Sequence, residues 1–306
     1  MAFAPGKILW FGEHAVVYGV PAIAAATSCG LHATAHASAA PRLRVPAWQL
    51  DVAPDDGSRV GEAFARLLEA LPEAWRASVE ITGTLPPGAG LGSSASLAVA
   101  SARAMAERVG EELDDDLLFG AAMASERVFH ATPSGLDHAV IMTGGLIAFQ
   151  RIDGGRSAPL ITSLSVSAPI ELIIAQVERG ADTGAMVQGV ADRRAAAPSR
   201  INGLLERIGD IVGNAQSALA APAPELDLLG GLMNQNHEAL SELGVSTPTL
   251  DERCQAARDA GAFGAKLTGA GGGGCLLALV DARSADSVEA TLASSALTLL
   301  RCSIQA

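Results

Sequence analysis

The chain is poor in aromatic side chains: one Tyr, three Trp and seven Phe make up 4% of its 306 residues. Its core must therefore rest on Ala, Val, Leu and Ile, within a composition that is 49% hydrophobic. Basic charge is short as well. Lys and Arg number 21 against 33 Asp and Glu, a net charge of −12, whereas a nucleic-acid binder normally shows a basic face. ATP is not excluded, because a phosphate site needs only a local positive field. No apolar run approaches the ~20 residues of a membrane span, so no membrane partner is expected. Met1–Lys7 lacks a basic region followed by an apolar core, so no signal peptide is expected and a cytoplasmic location is. Cys29, Cys254, Cys275 and Cys302 show no metal-ligand spacing and are expected to be reduced thiols.

The common phosphate motifs are missing. A P-loop needs Gly-x-x-x-x-Gly-Lys-Ser/Thr. The run 88–94 has no lysine, and Gly264-Ala265-Lys266-Leu267-Thr268 has Ala where the second Gly belongs. A dinucleotide fingerprint fails because Ser93 takes the third glycine's place, late in the domain. There is no Gly-x-Ser-x-Gly elbow, and no second histidine follows His237-Glu238 at zinc-protease spacing.

What is present is a glycine loop, Pro86-Pro87-Gly88-Ala89-Gly90-Leu91-Gly92-Ser93-Ser94, between a strand signal at Val79 and Ile81 and a helix expected over 93–109. Such glycines allow tight turns and close approach to a ligand. Ser93 and Ser94 fall where the helix cap and first turn should lie, and a helix N-terminus suits phosphate. No acid lies between Glu80 and Glu107. The alternative is a glycine-proline connector before a serine-capped helix.

Four further features carry chemistry. A helix expected over 115–130, ended by Pro133, places Glu126 in the apolar stripe of Leu118, Ala122 and Phe129. A buried carboxylate needs a partner, either a metal ion or His130 one turn on. Asp137 falls in an expected turn, Pro133-Ser134-Gly135-Leu136-Asp137, where aspartate is common for local reasons. The run Gly271-Gly272-Gly273-Gly274 costs much backbone entropy on ordering, which favours close approach to a ligand over a simple hairpin. Near the start, Lys7 and a Gly12-Glu13-His14 turn flank a strand expected over 7–11.

Elsewhere, strands are expected over 20–28, 31–37, 146–149, 171–177, 266–268, 275–280 and 297–303. Helices are expected over 62–71, 184–219, 225–243, 249–260 and 285–292. Asp153–Pro159 is the best boundary, giving domains 1–160 and 161–306. Alternating strands and helices in both halves give an α+β class.

Taken in order, Pro5–Gly19, Pro86–Ser96 and Lys266–Cys275 resemble the GHMP kinases, with wording closest to the mevalonate kinase branch. Pro133–Asp137, Asn234-Gln235-Asn236-His237 and Leu243-Gly244-Val245-Ser246 resemble that branch too. The resemblance implies the two-domain GHMP kinase fold: a ribosomal protein S5-like N-terminal domain and a ferredoxin-like C-terminal domain. It implies ATP-dependent phosphorylation of mevalonate to 5-phosphomevalonate in isoprenoid synthesis. Same-fold alternatives are phosphomevalonate, homoserine or the mevalonate 3-hydroxyl as acceptor, or a non-catalytic sensor.

By the same resemblance Asp137 and Lys7 are catalytic. Pro87, Gly88, Ala89, Gly90, Leu91, Gly92, Ser93 and Ser94 hold ATP, and Ser94 and Glu126 hold Mg²⁺. Glu13, His14 and Thr183 line the acceptor pocket, and Gly271 and Gly272 help shape the active site. The family also suggests a homodimer. Two departures, His138 after the aspartate and Asp182 before Thr183, are candidates for altered acceptor preference.

Overall fold

The computed structural model describes residues 1–130, 134–152, 154 and 157–305. Pro133, and Asp153, Gly155 and Arg156 of the expected boundary segment, lie outside the described residues. Two compact units form. The first comprises Met1–Lys7 and Cys29–Gly144, the second Ile8–Ser28 and Gly145–Ala306.

Strands β1 (Ala2–Phe11) and β2 (Ala22–His36) pair and contribute residues to both units. The sequence predicts two strands where β2 forms one, because Gly30 is not a break. A Cβ there would sit 2.4 Å from the Ala4 carbonyl oxygen, so the missing side chain serves close strand packing.

In the first unit, β3 (Leu43–Val45), β4 (Leu50–Val52) and β5 (Ser78–Gly83) extend the sheet in the order β4-β3-β5-β2. Val79 and Ile81 are buried while Glu80 is exposed, the period-2 pattern of a half-buried strand. Helix α1 (Arg59–Ala70) is capped by the Ser58 hydroxyl, which accepts from the Gly61 N–H at 3.0 Å, and buries Ala63, Phe64, Leu67 and Leu68. Helix α2 (Ser93–Val109) ends at Gly110, at φ +72°, as the spacing predicts.

Helix α3 (Asp115–Glu126), capped by Asp114, stops four residues short of His130. There the turn tightens: Val128 N–H donates to Ser125, and Phe129 and His130 both donate to the Glu126 carbonyl. Helix α4 (Leu136–Thr143) has no counterpart in the predicted elements, and Asp137 lies in its first turn rather than in an open turn. Eight residues are too few to display a clear helical period.

In the second unit, the first half of β2 pairs with β6 (Leu146–Gln150), and β6 with β7 (Leu160–Leu164). A second, antiparallel sheet holds β8 (Ile170–Gln176), β9 (Gly264–Thr268), β10 (Cys275–Val280) and β11 (Thr298–Ile304), in the order β11-β8-β10-β9. Helices α5 (Thr183–Ala196), α6 (Pro198–Leu219), α7 (Leu226–Glu242) and α8 (Pro248–Asp259) connect β8 to β9, and α9 (Ala285–Ala293) connects β10 to β11. This is the split-βαβ order of a ferredoxin-like domain with its first crossover enlarged. The helix expected over 184–219 is broken at Ala197, because Pro198 cannot donate a backbone N–H to the turn before it. Among the described residues no helix is long and apolar enough to cross a membrane.

Candidate active site

The glycine loop of the first unit is anchored at its buried residues and open at its exposed ones. Ala89 and Leu91 are buried, and the Leu91 carbonyl accepts from the Lys7 N–H at 3.0 Å. The Trp48 indole donates to the Leu85 carbonyl at 2.9 Å and fixes the loop's entry. Pro87, Gly88 and Gly90 are exposed, and no heavy atom lies within 4 Å of where a Cβ would sit on either glycine.

Gly92, not a serine, caps α2, at φ +74° and with no side-chain cap bond. The first helical hydrogen bond runs from the Ser96 N–H to the Gly92 carbonyl. The N–H groups of Ser93, Ser94 and Ala95 thus have no acceptor within the helix, at the positive end of its dipole. Ser96 locks the turn by donating its hydroxyl to the Pro5 carbonyl at 2.6 Å. A Cβ on Gly92 would lie 2.7 Å from Lys7 Cγ, so the glycine lets the lysine pass.

That lysine is buried and reaches Asp137 Oδ1 at 3.0 Å. Glu126 is 5% exposed, at the end of α3, and accepts a hydrogen bond from the Ser94 side chain. Burial raises its carboxyl above the usual carboxylate range, and the charge of Asp137 adds to the effect. The Ser94 bond, His130 and Lys7 oppose it. His130 lies 3.4 Å away, so the neighbour one turn on is present, but it is more than half exposed. Lys7 thus pairs with Asp137, Ser94 bonds Glu126, and the charges of Lys7 and Asp137 both act on Glu126. Oxygen donors with surplus negative charge suit a hard divalent cation. Among the described residues no group of three or more His, Cys, Asp or Glu forms a metal cage. Mg²⁺ needs none, since it is commonly held by one or two carboxylates plus substrate phosphates.

The second unit gathers the other motifs. Glu13 is fully buried, paired with the equally buried Lys266 and accepting from Asn236 Nδ2 at 2.9 Å. Burial raises the Glu13 carboxyl and lowers the Lys266 ammonium, and their mutual attraction opposes both shifts. His14 takes φ +60° and its Nε2 donates to the Ala270 carbonyl at 2.8 Å. Burial lowers its pKa, against the effect of that bond.

The 271–274 glycines approach the protein's own backbone. A Cβ on Gly271 would sit 2.1 Å from the Val245 carbonyl oxygen, and one on Gly273 2.4 Å from that of Arg179. The Gly272 carbonyl accepts from Ala181 N–H at 3.1 Å, which brings the exposed start of α5, with Thr183, to the loop. The crowding that sequence reasoning assigns to a ligand is thus met here by the chain itself.

Residues 58–145 match the model of the GHMP kinase N-terminal domain, and residues 215–297 that of the GHMP kinase C-terminal domain. The mevalonate kinase of Thermococcus gammatolerans is 34% identical, over 95% of this chain and 92% of its own. That of Candida albicans is 30% identical, over 96% of this chain and 83% of its own. The chain belongs to the mevalonate kinases of the GHMP kinase family. The solved structure of L. major mevalonate kinase in complex with R-mevalonate superposes with a TM-score of 0.83 and 28% identity, covering 99% of this chain and 95% of that one. Streptococcus pneumoniae phosphomevalonate kinase in complex with phosphomevalonate and AMPPNP shares the fold, with a TM-score of 0.74 and 22% identity, covering 98% of each chain.

Both departures in this GHMP kinase have structural tasks. His138 is buried, hydrogen-bonded to the Ala122 backbone, and meets the Phe119 ring edge-on at 6.2 Å. It joins α3 to α4. Asp182 caps α5 by accepting from the Ala185 N–H at 2.9 Å. Sequence reasoning missed Asn236 and Lys266 as partners of Glu13, although both lie in motifs that carry the family resemblance.

Proposed function

We propose that Lys7, Ser94, Glu126 and Asp137, with the 87–94 loop, form the phosphoryl-transfer centre of this chain. The reaction is the family's: ATP-dependent phosphorylation of mevalonate to 5-phosphomevalonate in the mevalonate pathway. The observation that carries the assignment of residues is the 3.0 Å contact between Lys7 and Asp137 in the same unit as the α2 N-terminus, whose Gly92 cap offers no side-chain acceptor. A base with its cation and a phosphate cradle are what the chemistry requires.

Phosphoryl transfer asks a protein mainly for positioning and charge compensation. The exposed Gly88 and Gly90 let phosphate oxygens approach the loop backbone, and the N–H groups of Ser93, Ser94 and Ala95 donate to them. Asp137 accepts the proton of the acceptor hydroxyl as its oxygen attacks the γ-phosphorus and ADP leaves. Lys7 holds the Asp137 carboxylate by a charge-assisted bond and offsets negative charge developing on the attacking oxygen. Ser94 and Glu126 would hold Mg²⁺, which neutralises charge on the β- and γ-phosphates when bound.

On the acceptor side, His14 and Thr183 lie along the pocket. Glu13, Gly271 and Gly272 shape it from behind, given their burial and contacts. The two family matches fall one in each of the expected domains 1–160 and 161–306, whereas the compact units divide after Gly144 and place Ile8–Ser28 with the second. The same resemblance supports a cytoplasmic homodimer, which sedimentation checks. Release of ADP from ATP with mevalonate, phosphomevalonate and homoserine tests the acceptor. Turnover on mevalonate far above the others is expected, and turnover on another acceptor alone would overturn the assignment.

A further inference from the structure

The family resemblance gives Asn234-Gln235-Asn236-His237 no chemical task, yet three of its four side chains are spent on one strand and one turn. Strand β9 is an edge strand, paired with β10 on one side. On its open side the Ala265 N–H donates to Asn234 Oδ1 at 3.0 Å, and the Leu267 N–H to His237 Nδ1 at 3.3 Å. Two side chains of α7 thus replace a missing strand. Because Nδ1 accepts, the His237 proton sits on Nε2, 3.0 Å from Asp251 Oδ1. Gln235 is exposed.

From this fixed strand, Lys266 reaches into the interior. Its ammonium bonds Glu13 and the Leu267 carbonyl, the latter at 2.6 Å. Asn236 takes the second Glu13 oxygen. Glu13 is 0% exposed, so neither oxygen is available to a ligand. The residue beside it, His14, sits at φ +60° and ψ −42°, outside the populated left-handed region for a side-chain-bearing residue. A backbone in such a state persists where its surroundings over-determine it. Here those surroundings are the Glu13 anchors, the Ala270 carbonyl on His14, and the Val16 N–H on the Gly12 carbonyl at 3.1 Å.

We propose that Glu13, Lys266 and Asn236 are positioning residues: they pin the Gly12–His14 turn so that His14 is presented to the acceptor, and Glu13 itself never touches it. The proposal rests on the reading of His14 as an acceptor-pocket residue. It separates two roles that sequence resemblance assigns jointly to Glu13 and His14. It also gives Asn236 a role in acceptor binding across 223 residues of sequence.

The test uses Lys266→Met, Glu13→Gln, the double variant, and Asn236→Ala in the full chain. Removing one member of a buried pair strands the other charge, whereas removing both charges does not. Lys266→Met should raise the mevalonate KM about tenfold, with the ATP KM within about twofold. In the double variant the mevalonate KM should return to within about threefold of wild type. NMR of the histidine imidazoles gives a readout apart from turnover. The hydrogen-bonded His14 N–H signal should be lost in Lys266→Met and return in the double variant.

A folded double variant whose KM stays as high as that of Glu13→Gln would show direct acceptor contact and overturn the proposal. So would an unchanged His14 signal in Lys266→Met. If that single variant fails to fold, Asn236→Ala decides: it keeps the ion pair, and an unmoved His14 signal and KM would overturn the proposal. If wild type does not turn over mevalonate, the functional reading fails while the His14 signal still tests the coupling.

Discussion

Glu126 lies buried within the field of Asp137, and first burial, then that second carboxylate, push its carboxyl above the ordinary range. The Ser94 hydrogen bond and the Lys7 charge offset part of this. With both carboxylates ionised the site would carry two negative charges against the one positive charge of Lys7, a state suited to a cation.

This relationship sets a pH dependence. Between the ordinary glutamate value of 4.5 and its raised folded value, the folded state binds more protons than the unfolded one. Stability attributable to Glu126 therefore falls as pH rises through that interval. In metal-free protein, Glu126→Gln should be more stable than wild type at neutral pH, and the gap should close below the ordinary carboxylate range. Added Mg²⁺ with a non-hydrolysable ATP analogue should stabilise wild type more than the variant. Thermal melts across pH, with and without these ligands, check both parts.

Gly92 and Gly90 share a left-handed backbone, at φ +74° and +76°, but only Gly92 presses on Lys7. Alanine at either position should cost roughly 1–2 kcal/mol of stability from backbone strain. Gly92→Ala should in addition lower kcat about tenfold or more, because Lys7 must shift. Gly90→Ala should act mainly on the ATP KM. Denaturant unfolding and steady-state kinetics on the pair separate strain from displacement of the lysine.

His237 is held neutral against acid. Burial is the main cause that brings its pKa from 6.5 to about 4. A histidine lowered in the folded state contributes its full stability above the unfolded value and loses it as pH falls toward the folded one. Wild type should lose on the order of 3 kcal/mol between about pH 6.5 and 4 from this group. His237→Gln should start less stable and show a shallower loss over the same window. Urea unfolding at several pH values gives the two slopes.

Much of the site was legible because its parts carry local signals. The glycine loop, the apolar stripe around Glu126 and the stop at Gly110 are short-range patterns, and helix 93–109 forms at its predicted limits. The functional roles of Lys7 and Asp137 came from motif resemblance, since a lysine in a strand or an aspartate in a turn says little alone. What stayed hidden was long-range pairing. Glu13 and Lys266 are separated by 253 residues, and no periodicity links them. Composition also does not distinguish a glycine that admits a ligand from one that admits backbone. Gly88 and Gly90 face open space, whereas Gly271 and Gly273 face carbonyl oxygens of their own chain. The break at Ala197 was missed although Pro198 marks it, because helical residues continue on both sides.

Assignment of the proton-accepting role to Asp137 is tested most directly by phosphorus NMR of the product formed from ATP and mevalonate by wild type and by Asp137→Asn. Wild type should give a single phosphomonoester on the C5 oxygen. The variant should form it at least about 100-fold more slowly while binding an ATP analogue as wild type does. A near-wild-type rate from Asp137→Asn would contradict the proton-accepting role, and product on the C3 oxygen would contradict phosphorylation at C5.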